Sequence, residues 1–257
     1  MSMRRHAPRS LPAVAWATVA WAVLALSAAT APWGRAAAST FNISPIRVEL
    51  DRAHRTGVLT LANAEDKPVV VQVRAVAWSQ ADGTDQLIDT HDLLVSPPVL
   101  QIGANSEQII RVALRGDPDP AREESFRLIF EEVPQAAPQG FTGLQVALRL
   151  SVPVFVAPAG PKAAAEVSWE TRWLPDGHLE VAATNRGTAH LQIGDFEVNA
   201  ADVKNAARGV TSKYLLPGSR MSWQLTAAPG VNPGGALEIH GHSDQGEFSA
   251  EPANHGS

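Results

Sequence analysis

Residues 144–156, LQVALRLSVPVFV, place a large apolar side chain at every second position: Leu144, Val146, Leu148, Leu150, Val152 and Val154. At the two-residue period of a strand these six share one face, while Gln145, Ala147, Arg149 and Ser151 mark the other as partly solvated. The pattern predicts one long half-buried strand and excludes a buried helix. Its apolar face needs a cover. Two covers are available: the second sheet of the protein's own β-sandwich, or a strand-lacking partner, since a long apolar strand near an edge invites pairing with another chain.

The amino terminus reads as an export signal. Arg4, Arg5 and Arg9 precede an apolar run from Leu11 to about Ala31, and Ala36, Ala37 and Ala38 fit a small-residue cleavage site before Ser39. Residues 1–38 are therefore read as a cleaved secretory signal peptide, and the mature chain has no stable membrane anchor. Removing them takes away four arginines and no acid, leaving 17 basic against 26 acidic residues, a formal charge of −9. That balance excludes a phosphate-tracking nucleic-acid surface. The chain has no cysteine, so disulfides and thiolate chemistry are excluded, and apolar cores alone must hold it.

Strand-like runs follow one another without a helical period: FNISPIRVEL, TGVLTLAN, PVVVQVRAVAWS, DLLVS, EQIIRVAL, SFRLIFEEVP and LQVALRLSVPVFV. Turn-forming segments such as AEDKP, ADGTD and IGANS lie between them. Seven strands suit an immunoglobulin-like sandwich. APAGPKAAAE then reads as a linker, and EVSWETRW, HLEVAAT, HLQIGDFEV, RMSWQLTA, ALEIHGH and EFSAE form a second set, with a frayed tail from Pro252. The fold class is all-β, two tandem immunoglobulin-like β-sandwich domains, over residues 39–158 and 159–257.

The ordered segments ISPIRVEL, LTLANAEDKPVVVQVRAVAW, SPPVLQIGANSEQIIRV, SFRLIFEEVP and LQVALRLSVPVF resemble the periplasmic chaperones of the chaperone/usher pilus pathway. The resemblance covers residues 40–158 well and the second domain only in general form. It implies a non-enzymatic periplasmic protein without cofactor. Such a chaperone lends its seventh strand to pilus subunits by donor-strand complementation and delivers them to an outer-membrane usher. The implied donor residues are Leu144, Val146, Leu148 and Leu150. The family also holds the subunit's terminal carboxylate with two basic residues. Arg47, in PIRVEL, matches the first, and a guanidinium can take a carboxylate through two parallel hydrogen bonds. The second is missing, because SVPVF sets Pro153 at or near its place. This marks a divergent branch resembling chaperones of archaic pili, whose subunits are related to spore-coat proteins. Arg111 and Arg127 are possible substitutes, each with the alternative of a solvated or internally paired arginine.

Other constellations have plain readings. His240, His242 and Asp244 in IHGHSD use a spacing that metals accept, but the two histidines read as a surface pair without an assignable third ligand, so no metal is expected. Trp78, Trp169, Trp173 and Trp223 read as core and not as a sugar platform. Asp82 and Asp85 read as turn chemistry. Two alternatives to a chaperone stay open: a structural or adhesive surface sandwich, and an exported carbohydrate-binding or hydrolytic one.

Overall fold

The computed structural model describes residues 41–134, 146–160, 162–201 and 203–255. The first sandwich opens with β1 (Phe41–Ser44), β2 (Val48–Leu50), β3 (Thr56–Asn63), β4 (Val69–Ala81) and β5 (Thr84–Asp89). It continues with β6 (Leu93–Ser96), β7 (Val99–Ile102), β8 (Ser106–Leu114), β9 (Glu124–Glu132) and β10 (Arg149–Val156). One sheet has the order β1-β3-β8-β6, and the other β2-β10-β9-β4-β5 with β7 also on β4. Alternate residues of both sheets, among them Leu59, Leu61, Val71, Val73, Ile110, Val112, Leu128, Val152 and Val154, interdigitate as one core.

Two Ser-Pro pairs mark where the chain changes sheets. FNISPIRVEL is not one strand: β1 pairs β3 in the first sheet, the backbone bends over Pro45, Ile46 and Arg47, and β2 joins β10 in the second. SPP does the same between β6, on β8, and β7, on β4. Proline has no N–H to donate to a ladder, so a strand ends readily at it. The ADGTD turn is a hairpin closed by Asp82 and Gly83, both at positive φ (52° and 72°), as the two-residue turn requires.

The second sandwich comprises β11 (Val167–Trp173), β12 (His178–Asn185), β13 (Leu191–Ala200), β14 (Val203–Gly209) and β15 (Lys213–Leu215). It ends with β16 (Arg220–Thr226), β17 (Leu237–Ser243), β18 (Gly246–Ala250) and β19 (Ala253–His255). Its sheets run β16-β12-β11-β19 and β14-β13-β17-β18, with β15 on β13. Trp169 and Trp173 are buried in its core and Trp223 packs against that core. The tail expected to fray from Pro252 instead supplies β19, parallel to β11 over Glu170–Arg172. Main-chain pairing holds it, which no apolar pattern announced. No helix among the described residues is long and apolar enough to cross a membrane.

Candidate functional site: the partly open strand and the pockets beside it

The predicted strand over 144–156 is shorter among the described residues, and its two ends differ. Leu144 and Gln145 lie outside the described residues. From Arg149 to Val156 the strand pairs antiparallel with β9 along its whole length. Along its other edge, β2 pairs it only at Val154, Phe155 and Val156. Among the described residues no strand pairs that edge from Val146 to Val152, and Pro153 could donate no hydrogen bond there.

Side-chain burial follows the same division. Val152, Val154 and Val156 lie in the first core, and Leu150 packs against it. Leu150 is thereby turned into the protein's own core. Leu148 is half-buried; its N–H donates to a Glu132 side-chain oxygen at 3.1 Å and its carbonyl accepts from the Glu132 N–H at 2.9 Å. Val146, next on the same alternation, is 61% exposed. Across the partly open edge, in the bend before β2, Ile46 is 80% exposed. No periodicity pointed to Ile46, because it sits in a bend.

The other face of β10 meets the second sandwich. Phe155, Trp78 and Leu216 form a small buried apolar cluster, with Tyr214 packed against it. Trp78 is thus buried between sandwiches and not inside one. Gln80 ties the contact through its amide: Nε2 donates to the Tyr214 carbonyl at 2.9 Å, and Oε1 accepts from the Leu216 N–H at 3.0 Å.

Two arginines lie beside this contact, each in its own pocket: Arg47 with Glu123, His190 and Asp244, and Arg127 with Trp78, Asp85 and Tyr214. Arg47 immediately precedes the Val48–Val154 pair. Its Nη1 donates to Asp244 Oδ2 at 2.8 Å and its Nε lies 3.1 Å from Glu49. Arg127 is paired directly opposite Pro153, so the two side chains share a face. Its guanidinium lies 3.7 Å from the centre of the Trp78 ring, a cation–π contact. It also reaches Ser151 Oγ at 3.2 Å and Asp85 at 3.3 Å, while its Nε has no partner. Burial pulls its pKa below the usual arginine value. Pro153 of β10 therefore faces an arginine on the next strand. Arg111 is elsewhere, on β8 in the opposite sheet, opposite Val58 and Ser96. Arg127, Trp78, Asp85, Lys213 and Tyr214 border a cleft of about 420 Å³. Asp85 is therefore an ion-pair partner as well as a hairpin residue.

The IHGHSD residues disperse. His240 pairs with Glu238 at 3.1 Å, His242 lies near Asp195 and Glu247, and Asp244 faces the cleft. Among the described residues no group of three or more His, Cys, Asp or Glu could hold a metal ion.

Residues 40–162 match the family described as "Pili and flagellar-assembly chaperone, PapD N-terminal domain". No curated protein sequence matches. Among solved structures, a chain of the CsuC–CsuE chaperone–tip adhesion subunit pre-assembly complex, from archaic chaperone-usher Csu pili of Acinetobacter baumannii, is similar with a TM-score of 0.63 at 20% identity. That match covers 84% of this chain and 99% of that one. A chain of the Salmonella enterica SafA pilin–SafB chaperone complex is similar with a TM-score of 0.56 at 18% identity, over 82% and 96% of the chains. The Pseudomonas aeruginosa CupB2 chaperone has a TM-score of 0.54 at 18% identity, over 83% and 100%. At these identities the likeness is one of fold.

Proposed function

The chain belongs, through its first sandwich, to the pili and flagellar-assembly chaperones, and from that premise we propose that it caps pilus subunits in the periplasm by lending them the segment that runs from Leu144 into the start of β10. The observation that carries this reading is the open edge of β10 with Val146 exposed beside it. A subunit lacking its last strand can pair its main chain there while Leu144, Val146 and Leu148 fill pockets along its groove. Each such side chain, fully buried, contributes roughly 1.5–3 kcal/mol before association costs. Leu150, already packed on the chaperone's core, contributes main-chain pairing more than side-chain burial.

In this reading Arg47 holds the subunit's terminal carboxylate, and Arg127 supplies the second cation that β10 lacks at Pro153. Residues 1–38 are the export signal, 39–158 the donor domain and 159–257 the second domain. The subunit, of the spore-coat-related kind, passes from the chaperone to an outer-membrane usher. The protein performs no catalysis.

A photo-crosslinking residue at position 146, in cells assembling the pilus, tests the reading. It should join the chaperone to a small subunit, and the same residue at Ile88, exposed on β5, should not. Absence of an adduct at 146, or equal yield at 88, would overturn the donor assignment.

A further inference from the structure

Beside Arg47, five charged groups from both sandwiches alternate in sign. Glu49 lies 3.1 Å from Arg47, Arg47 2.8 Å from Asp244, Asp244 3.7 Å from His190 Nε2, and His190 Nδ1 2.7 Å from Glu123. Glu49, Arg47 and Glu123 belong to the first sandwich, and His190 and Asp244 to the second. We infer that His190, doubly protonated between Glu123 and Asp244, is a proton-controlled clasp that holds the two sandwiches in one orientation.

The argument is one of donors. A carboxylate faces each ring nitrogen, and a neutral imidazole has only one N–H, so it can serve one carboxylate and must turn a lone pair on the other. Only the imidazolium presents an N–H to each, hydrogen-bonding Glu123 at 2.7 Å and facing Asp244 as an ion pair at 3.7 Å. The ring is buried between them and stacked on Phe155 of β10, centroids 3.5 Å apart and planes 10° from parallel, an arrangement that favours a cation over an aromatic face. Tyr214, on β15, lies tilted by 59° at 5.6 Å. Other contacts fix the surroundings without changing charge. The His190 N–H donates to Glu123, the Gln192 N–H to Asp244, and the Gln245 amide to the His190 carbonyl. Removing the second proton leaves two partly covered carboxylates facing one neutral ring across the sandwich boundary.

The direction of the titration agrees. Burial lowers the His190 pKa, but the carboxylates of Asp244 and Glu123 beside the ring outweigh burial, and the net displacement is upward. A raised folded pKa means that the clasp is fully closed below the ordinary histidine value of about 6.5 and opens as pH rises through the higher folded value.

The mature chain, with no subunit present, provides the test, so its outcome is separate from that of the chaperone reading. The chain has no cysteine, which allows unique spin labels at Gln108→Cys on β8 and Gln224→Cys on β16, both exposed. The inter-label distance distribution should be narrow at about pH 5.5 and broaden towards about pH 9, through a midpoint above that of a free histidine. His190→Gln should be broad throughout. Glu123→Gln should shift the midpoint to lower pH, and His242→Gln, exposed and facing Asp195 and Glu247 outside the clasp, should keep the wild-type response. A wild-type distribution that does not change with pH, or a response that survives His190→Gln, would overturn the clasp.

Discussion

From Val152 to Val156 every side chain of β10 is buried, three valines in the first core and Phe155 against Trp78, Leu216 and His190. Six residues before Val152, on the same alternation, Val146 is largely in water. The sequence pattern does not change along this strand; its surroundings do. Strands lie on both sides of Val154 to Val156 and a second sandwich covers their outer face, whereas Arg149 to Val152 have β9 on one side and an open edge on the other, and Val146 lies before the β9 ladder begins. One periodic segment can therefore serve as core at one end and as an offered strand at the other.

Charge placed at each end separates the two roles. Val154→Asp puts an unpaired carboxylate in the first core, at a cost of several kcal/mol, and should prevent folding, seen as loss of the cooperative melt. Phe155→Ala keeps the core but empties the contact between sandwiches, and should lower stability by about 3 kcal/mol in denaturant titration while leaving the first domain's β-structure intact. A melt unchanged by Phe155→Ala would mean that the outer face of β10 is not a structural contact.

Arg47→Ala tests the cleft edge. It removes an ion pair between sandwiches and should lower stability by about 1 kcal/mol, with a larger effect on subunit capture measured by co-purification. Arg47→Lys should recover only part of the capture, because an ammonium cannot form the two-pronged pair. Normal pilus assembly by Arg47→Ala would remove Arg47 from the anchor.

Acid provides a related probe. Asp244 has its pKa lowered to about 2: burial raises it, but the nearby His190 ring and the hydrogen bonds from the Gln192 N–H and Arg47 prevail. A depressed folded pKa gives stability that is present above the unfolded carboxylate value, about 3.9, and is lost as pH falls through about 2. Asp244→Asn should flatten that part of the acid limb in thermal melts.

The smallest effect on the fold belongs to the open half of the strand. Val146→Glu should change stability by no more than about 0.5 kcal/mol, yet abolish subunit capture, because the groove offers a charge no partner. Leu148→Glu should act similarly, with a slightly larger loss because it adds a carboxylate near Glu132. Collapse of the fold in Val146→Glu would return this half of the strand to the protein's own core.

Strands with a buried face were legible, since Thr56–Asn63, Ser106–Leu114 and Glu124–Glu132 alternate or run apolar as a half-buried sheet demands. β5 was not, because TDQLID is exposed at every position and carries no apolar period. β14 and β19 were missed similarly: their pairing is main-chain, and VKNAARG and ANH advertise little. Of the cleft, Arg47 was legible through a motif and Arg127 only as a candidate. His190 and Glu123 carried no local signal, since 67 residues separate them and only packing joins them.

The amino-acid sequence dictated the class of fold and the existence of a strand too apolar to be left uncovered, because backbone period and turn chemistry are local properties. It also determined that no disulfide would hold the chain. Which half of that strand would be sealed, that Arg127 would face Pro153, and that Asp244 would meet Arg47 across the sandwiches were decided by tertiary structure. These depend on strand order and on the docking of two domains, which bring together residues as far apart as 47 and 244. Burial and charge pairing act through space, and no spacing along the chain records them.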